Sequence, residues 1–512
     1  MTTPQPKLFP TPLGKSYIYQ LDLSLRHMKS IWLVGGVLGG LFIILLAATQ
    51  FVTPDLAGND GYYHIKLAQT MRLNGLRPPF PWLPLSVLNP DAFVDHHFLY
   101  HVLLIPFTYG DLRLGAKWAS VILPALSFLS GWVLLRGQRV PYAALWAISF
   151  FAASEAFLYR MSMPRAQAAS LLVLLLSLHV ALTGRYRWLI LLAFLYVWLY
   201  NAFPLILLLV GAYVAARWLL EGRLNVRPLL YTGIGLLLGL IINPYFPDNL
   251  LFIYQHLFPK LIDATAIRVG NEWYPYRTWT LVENSGPALA MFVLGTFALG
   301  LREKRMATAT ATLLFITVIF GLMLFKSRRF VEYYPAFALL FCALAWGPLV
   351  KDWTERSVWV SRLLPGGMSL LLAALIFGNV RGTQESLLKS KPYERYAEAA
   401  TWLRENTPPG SLVFQTDWDD FTRLYFYNTH NVYLAGLDPT YMQLYDANLY
   451  DTWVDITKGR LDSPAKMIRD KFDAAYIFSD LNHKEFLRAA EDDPQIKEVY
   501  RDEYAVIFEI IN

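Results

Sequence analysis

Long apolar runs alternate with short polar connections over the first three-quarters of the chain. A run at 31–51 is followed by ten more, at 115–135, 141–158, 166–183, 187–201, 204–220, 228–242, 286–301, 307–325, 331–350 and 359–379. A helix of about 20 mostly apolar residues spans a bilayer, so the pattern predicts about eleven crossings. The runs at 187–201 and 228–242 are short and leave the count open by two. The first run is longer than a signal-peptide core and no small-residue cleavage site follows it, so it reads as a retained anchor. Lys7, Lys15, Arg26 and Lys29 precede it and put the N-terminus in the cytoplasm. Parity then requires basic loops after each even-numbered span. Those loops carry Arg136/Arg139, Arg185/Arg187, Arg217/Arg223/Arg227, Arg302/Lys304/Arg305 and Lys351/Arg356/Arg362. Three long polar pieces are left for the outer side: 52–115, 243–285 and the tail. In the tail, a helix at 393–406, a Thr-Pro-Pro-Gly turn and β-rich runs at 411–416, 432–435, 474–478 and 505–510 predict a small α/β domain.

Composition agrees with the pattern. Of 512 residues, 55% are hydrophobic and 16% charged, and mean hydropathy is +0.34. A soluble protein carries about a quarter charged residues, and disordered chains lack the aromatic content seen here. The lone Cys342 excludes internal disulfides and zinc sites built on cysteine groups. Residues 381–512 hold 23 acidic and 15 basic residues, whereas residues 1–380 hold 16 and 30. The basic excess belongs to the apolar part, where it reports topology and gives no reason to expect nucleic acid. The chain thus reads as a polytopic α-helical membrane protein over 1–380, with a soluble extracytoplasmic α/β domain over 381–512. A bacterial inner membrane, with the tail in the periplasm, fits this.

The polar chemistry collects on the predicted outer side. Asn59-Asp60-Gly61-Tyr62-Tyr63-His64 opens the first loop, and Asp95-His96-His97-Phe98-Leu99-Tyr100-His101 closes it. Carboxylates and imidazoles so grouped suit a divalent cation or proton transfer. The plain alternatives are a solvated turn and residues of the headgroup belt. Tyr159-Arg160-Met161-Ser162-Met163-Pro164-Arg165 is a short outer turn, and its arginines suit a phosphate, or simply lipid headgroups. Glu272-Trp273 and Thr280-Leu281-Val282-Glu283 end the second loop, and Glu283 stands at the start of a span, where a carboxylate needs a partner. Lys326-Ser327-Arg328-Arg329-Phe330 places three cations at another outer helix end, as an anionic lipid phosphate or pyrophosphate requires. In the tail, Thr416-Asp417-Trp418-Asp419-Asp420 follows a predicted strand, where sites commonly form. There is no Walker or Gly-rich phosphate loop. Transfer chemistry on this side needs its activated donor on a lipid.

These motifs resemble the GT-C superfamily of membrane glycosyltransferases, above all the catalytic subunit of oligosaccharyltransferase. Asp60 through His64 matches that family's D-x-x-Y-H-like first outer loop. Thr280-Leu281-Val282-Glu283 matches its T/S-I/V-x-E motif. Arg329-Phe330 with Pro335 matches its late outer arginine. Asp417-Trp418-Asp419-Asp420-Phe421 lies where it has W-W-D-Y-G, with Tyr425 and Tyr427 downstream. Two departures stand out. Only Trp418-Asp419 aligns with W-W-D-Y-G, and Pro164-Arg165-Ala166-Gln167 replaces the second acidic D-x-D or D-x-E motif.

The resemblance implies a transferase moving a sugar or oligosaccharide from a polyprenyl-phosphate or pyrophosphate carrier to an acceptor protein, lipid or glycan. A monosaccharide-phosphate-lipid enzyme of the same superfamily is a rival. A glycolipid transporter and a non-catalytic glycan-binding relative are alternatives of another class. Asp60 is expected to act as base, with Glu283 orienting the acceptor. Asp60, Asp95, His97 and Glu283 are expected to share a divalent cation (Mn, Mg or Zn), unless Arg165 itself takes the vacated position. Arg165, Arg328 and Arg329 are expected on the donor phosphate, and Trp418, Asp419 and Asp420 on the acceptor.

Overall fold

The computed structural model describes residues 13–262, 271–302 and 305–511. Lys7 and Lys304, used in the topology argument, lie outside the described residues. All eleven apolar runs are helical. The helices Leu13–Gln50, Leu112–Gly137, Gln167–Leu182, Trp188–Leu199, Leu205–Glu221, Arg227–Ile241, Thr278–Gly300, Thr308–Lys326, Tyr334–Arg356 and Val358–Leu387 cover ten of them. Among the described residues, six helices are long and apolar enough to cross a membrane, and four more apolar helices are shorter. The run at 141–158 differs from one continuous helix. It breaks into Ala143–Ile148, Phe150–Ala153 and Glu155–Met161, because Ser154 leaves the helix to cap the last piece: its hydroxyl accepts from Phe157 N at 3.1 Å and donates to Asn284 O at 2.9 Å.

One apolar core runs through the bundle, with Phe42, Phe128, Phe150, Leu171, Tyr196, Phe320 and Phe337 buried at its centre. The helices' other faces carry exposed Trp32, Leu191, Leu237, Phe297, Leu322 and Leu370. A surface apolar to that extent suits lipid rather than water.

The tail folds around a five-stranded sheet: β1 (Leu412–Gln415), β2 (Val432–Tyr433), β3 (Tyr476–Asp480), β4 (Ile496–Arg501) and β5 (Ala505–Ile510), in the order β2-β1-β3-β5-β4. β1 is parallel to β2 and β3, with Val413 opposite Tyr476. β5 is antiparallel to β3, with Ile477 opposite Phe508, and to β4. Alternate residues serve two cores, as the period of two in a strand dictates. Phe414, Ile477, Val506 and Phe508 pack on Trp453, Ile468, Phe472 and Phe486 of the outer helices. Val413, Phe478 and Ile507 pack with Tyr396, Leu403, Phe421 and Tyr425, and also with Tyr63, Leu67, Phe80, Trp82 and Leu83 of the first outer loop. The loop therefore completes the inner face of the sheet and is locked beneath it. The helix predicted at 393–406 starts later, at Ala397, because Tyr396 adopts a left-handed conformation at φ 71.

Candidate active site

The site grows from the N-terminus of the helix Asp60–Asn74. Gly61, its second residue, lies flat on the Met163-Pro164 turn; a Cβ at 61 would sit inside the van der Waals surface of the Pro164 ring. That close approach brings Asp60 against Arg165, and the two form an ion pair. Arg165 Nη1 also reaches Glu272 Oε2 at 3.0 Å. Arg160 Nη2 contacts the same oxygen at 2.9 Å, and its Nε donates to Glu332 Oε1 at 2.7 Å. Arg329 Nη1 takes the other Glu272 oxygen at 3.1 Å, while its Nη2 donates to Tyr200 Oη at 2.6 Å and the guanidinium lies 5.0 Å from the Trp273 ring centre. Three guanidiniums and three carboxylates thus form one continuous network. Glu332 is fully buried at its base.

Burial by itself would raise the Glu272 carboxyl, but Arg329, Arg165 and Arg160 outweigh it and hold the group well below the usual carboxylate range. For Arg165, the carboxylates of Asp60 and Glu272 outweigh burial and push the guanidinium further up. Arg328 turns aside. It donates to the carbonyls of Tyr274 and Pro275 at 3.2 Å each and lies over the Tyr276 ring. Ser327 Oγ donates to Glu272 O at 2.9 Å. The backbone beneath Glu272 is therefore tied down from the Ser327-Arg328 side.

One turn beyond Asp60 on the same helix, His64 joins a buried relay. Asp95 Oδ2 accepts from His101 Nδ1 at 2.8 Å, and His101 Nε2 lies 2.8 Å from His64 Nδ1. A carboxylate only accepts, so in neutral rings His101 Nε2 accepts from His64 Nδ1–H, and His64 is left with a basic Nε2. Burial first, then His101 and Arg165, depresses His64 well below the usual imidazole range and keeps it neutral. His97 stacks on Tyr200 with ring centres 5.4 Å apart, and burial depresses it likewise.

The tail closes the site from above. Asp417 caps the short turn Trp418–Asp420 by accepting from Asp419 N at 3.0 Å. Asp419 accepts from Asn59 Nδ2, and Lys391 Nζ stands 3.9 Å away. Burial and the charge of Asp60 raise the Asp419 carboxyl. Asp420 is buried and pushed well above the usual range, by burial and then by Asp417 and Asp480. Arg423, 1% exposed, donates to Asn59 Oδ1 at 3.1 Å and to Pro392 O at 2.6 Å, and covers the Tyr62 ring at 4.3 Å. Asn59, the residue beside Asp60, is thus bonded to both Asp419 and Arg423.

No family model matches the sequence, and no curated protein does. Solved structures do. The oligosaccharyltransferase of Archaeoglobus fulgidus superposes with a TM-score of 0.66 at 15% identity, over 90% of this chain and 71% of that one. ArnT from Cupriavidus metallidurans gives 0.57 at 16% identity, over 93% and 97%. The arabinofuranosyltransferase AftD from Mycobacteria gives 0.55 at 13% identity, over 93% and 40%. The fold is that of the GT-C glycosyltransferases.

Within this GT-C fold, the sequence-predicted residues divide. Asp60, Arg165 and Arg329 share the ion network, and Asp419 borders it through Asn59. Glu283 does not join: it is exposed on the helix Thr278–Gly300. Arg328 binds the backbone carbonyls of Tyr274 and Pro275 instead, and Trp418 packs against the outer core of the tail. The four donors expected to share a cation do not converge as a set, although Asp95 Oδ1 accepts from His97 N at 3.0 Å. Asp60 is taken by Arg165, Asp95 by His101 and His97 by Tyr200, and Glu283 faces outward. Among the described residues no three His, Cys, Asp or Glu groups converge as a metal site, so these donors do not fit the expected cation. The physical reason is Arg165: its guanidinium stands against Asp60, where a cation would be drawn. In the sequence Arg160 reads only as one of two turn arginines suited to a phosphate, Glu272 is quoted without a role, and Glu332 is passed over. The usable signal for Glu332 was an acid four residues beyond Arg328, next to a span, where a lone carboxylate requires a partner.

Proposed function

We propose that the protein is a membrane glycosyltransferase that moves a sugar from a polyprenyl-phosphate-type lipid to an acceptor on the outer face of the membrane. One observation carries the reading: Arg160, Arg165 and Arg329 converge at one end of the apolar helices, against the α/β tail, where a lipid headgroup would lie. Planar guanidiniums suit phosphate oxygens. Two similar proteins support it: the Archaeoglobus enzyme has been seen with an inhibitory peptide and a dolichol-phosphate, and ArnT with undecaprenyl phosphate. In this reading all eleven helical runs cross the membrane, the N-terminus is cytoplasmic, and residues 381–512 lie outside, in the periplasm of a bacterial cell.

The reaction breaks the sugar C1–O bond to the phosphate, whose oxygen leaves with the electron pair. A new bond forms from the acceptor to C1. Asp60 takes the acceptor's proton. Charge developing on the leaving phosphate is met by guanidinium groups already in place, so no step needs a divalent cation. Asp419, against Asn59, borders the space for the acceptor, a protein, lipid or glycan, whereas Asp420 is buried within the cap. The test uses liposomes holding the purified protein, cell lipid extract and sugar-labelled polyprenyl-phosphate donor. Label moving to an acceptor with release of polyprenyl phosphate supports the reading. Label carried across the bilayer still on its lipid would instead favour a transporter, and bound but unaltered donor a non-catalytic relative.

A further inference from the structure

Glu272 is the one carboxylate in the network held by three guanidiniums, with Arg329 on one oxygen and Arg160 and Arg165 on the other. That is the arrangement such a cluster offers to a phosphate. Resting on the function proposed above, we propose that Glu272 is a resident stand-in for the donor phosphate, displaced when the donor binds, and that the donor is a singly charged phosphodiester rather than a pyrophosphate.

The displacement is local. Glu332 is fully enclosed at the base, whereas the Glu272 side chain is 21% exposed at the mouth. Its backbone is pinned by Ser327 and that of its neighbours by Arg328, so the carboxylate swings while the chain stays. Charge then selects the ligand. The network is neutral as it stands: Arg160, Arg165 and Arg329 against Asp60, Glu272 and Glu332. Adding a phosphate with Glu272 in place would leave excess negative charge in a largely buried network, which is costly. With Glu272 swung out, three cations face two anions. A lipid–phosphate–sugar diester carries one negative charge and restores neutrality. A pyrophosphate carries two, and leaves an uncompensated charge among the described residues.

The test uses the full-length protein in detergent micelles, titrated with a synthetic polyprenyl-phosphate-sugar and its pyrophosphate counterpart, with bound lipid counted by native mass spectrometry. Glu272→Gln removes the competing charge and is expected to bind the diester about tenfold tighter than wild type, or about 1.4 kcal/mol. Wild type is expected to prefer the diester. A second readout needs no variant: carbodiimide coupling of Glu272 to glycinamide, located by peptide mass spectrometry, should rise when the diester saturates wild type. Unchanged or weaker binding by folded Glu272→Gln, or labelling that falls on saturation, overturns the stand-in. Tighter binding of the pyrophosphate overturns the donor class. If wild type binds neither lipid, the proposed function fails as well, which separates the two outcomes.

Discussion

Replacing Arg160 with methionine removes the guanidinium that bonds Glu332 Oε1 through Nε and Nη2. Glu332 is fully buried, and its Oε2 has no partner among the described residues. The variant therefore leaves a buried carboxylate without its direct ion-pair partner, with Arg165 and Arg329 acting on it only at longer range. Breaking a buried pair from one side costs about 3–5 kcal/mol, whereas replacing both partners with neutral groups of similar size is often close to neutral. The second Arg160 contact, to Glu272, matters less to folding, because Glu272 keeps Arg165 and Arg329. Arg160→Met alone is thus expected to lose about 3–5 kcal/mol, and Arg160→Met/Glu332→Gln to recover most of that. Denaturant unfolding in micelles, run as a double-mutant cycle, measures the coupling. A double variant no more stable than Arg160→Met would refute the reasoning, because Glu332 would not then depend on Arg160 for its charge.

Gly61→Ala drives a methyl group into Pro164 and should cost about 1–3 kcal/mol while separating Asp60 from Arg165; Gly61→Ala/Pro164→Ala should restore both stability and turnover. Asp480 accepts from His483 at 2.6 Å. Burial opposes each ion, but the pairing outweighs it, lowering Asp480 to about 2 and raising His483. The Asp480 share of stability is present above about pH 4 and lost as pH falls toward about 2. The His483 share is present below about pH 6.5 and lost as pH rises through its elevated value. The thermal midpoint of the cap should therefore decline above neutral pH, and His483→Gln should flatten that decline; an unchanged profile counts against the pair. Overnight EDTA treatment should leave transfer intact, since Arg165 stands against Asp60 and no three such donors converge among the described residues; abolished transfer that recovers with manganese would show a cation site that the described residues do not reveal.

Much of this helical fold was legible because apolar runs are a local signal. The break at Ser154 was not, since it depends on a partner, Asn284, far along the chain. β1 and β5 stood out through alternating or β-rich runs, whereas β4 did not: Ile-Lys-Glu-Val-Tyr-Arg is an edge strand with its charged residues exposed, and its composition resembles a loop. Within the site, Asp60, Arg165, Arg329 and Asp419 were legible as polar residues in the segments between or beyond the apolar runs. Their pairing was not. A histidine-rich segment reads as a metal site in one dimension, but Asp95 and His101 satisfy one another and hand on to His64. Glu272 and Glu332 take their meaning from arginines more than 50 residues away in sequence.

The central claim is that lipid-linked sugar is cleaved at this arginine-lined rim by the action of Asp60. The direct measurement is release of polyprenyl phosphate, coupled to sugar transfer, in liposomes carrying wild type, Asp60→Asn or Arg329→Ala. The account predicts release by wild type and a loss of about 100-fold or more in Asp60→Asn with donor binding retained, with Arg329→Ala weakened in donor binding itself. Release by folded Asp60→Asn at the wild-type rate would contradict it.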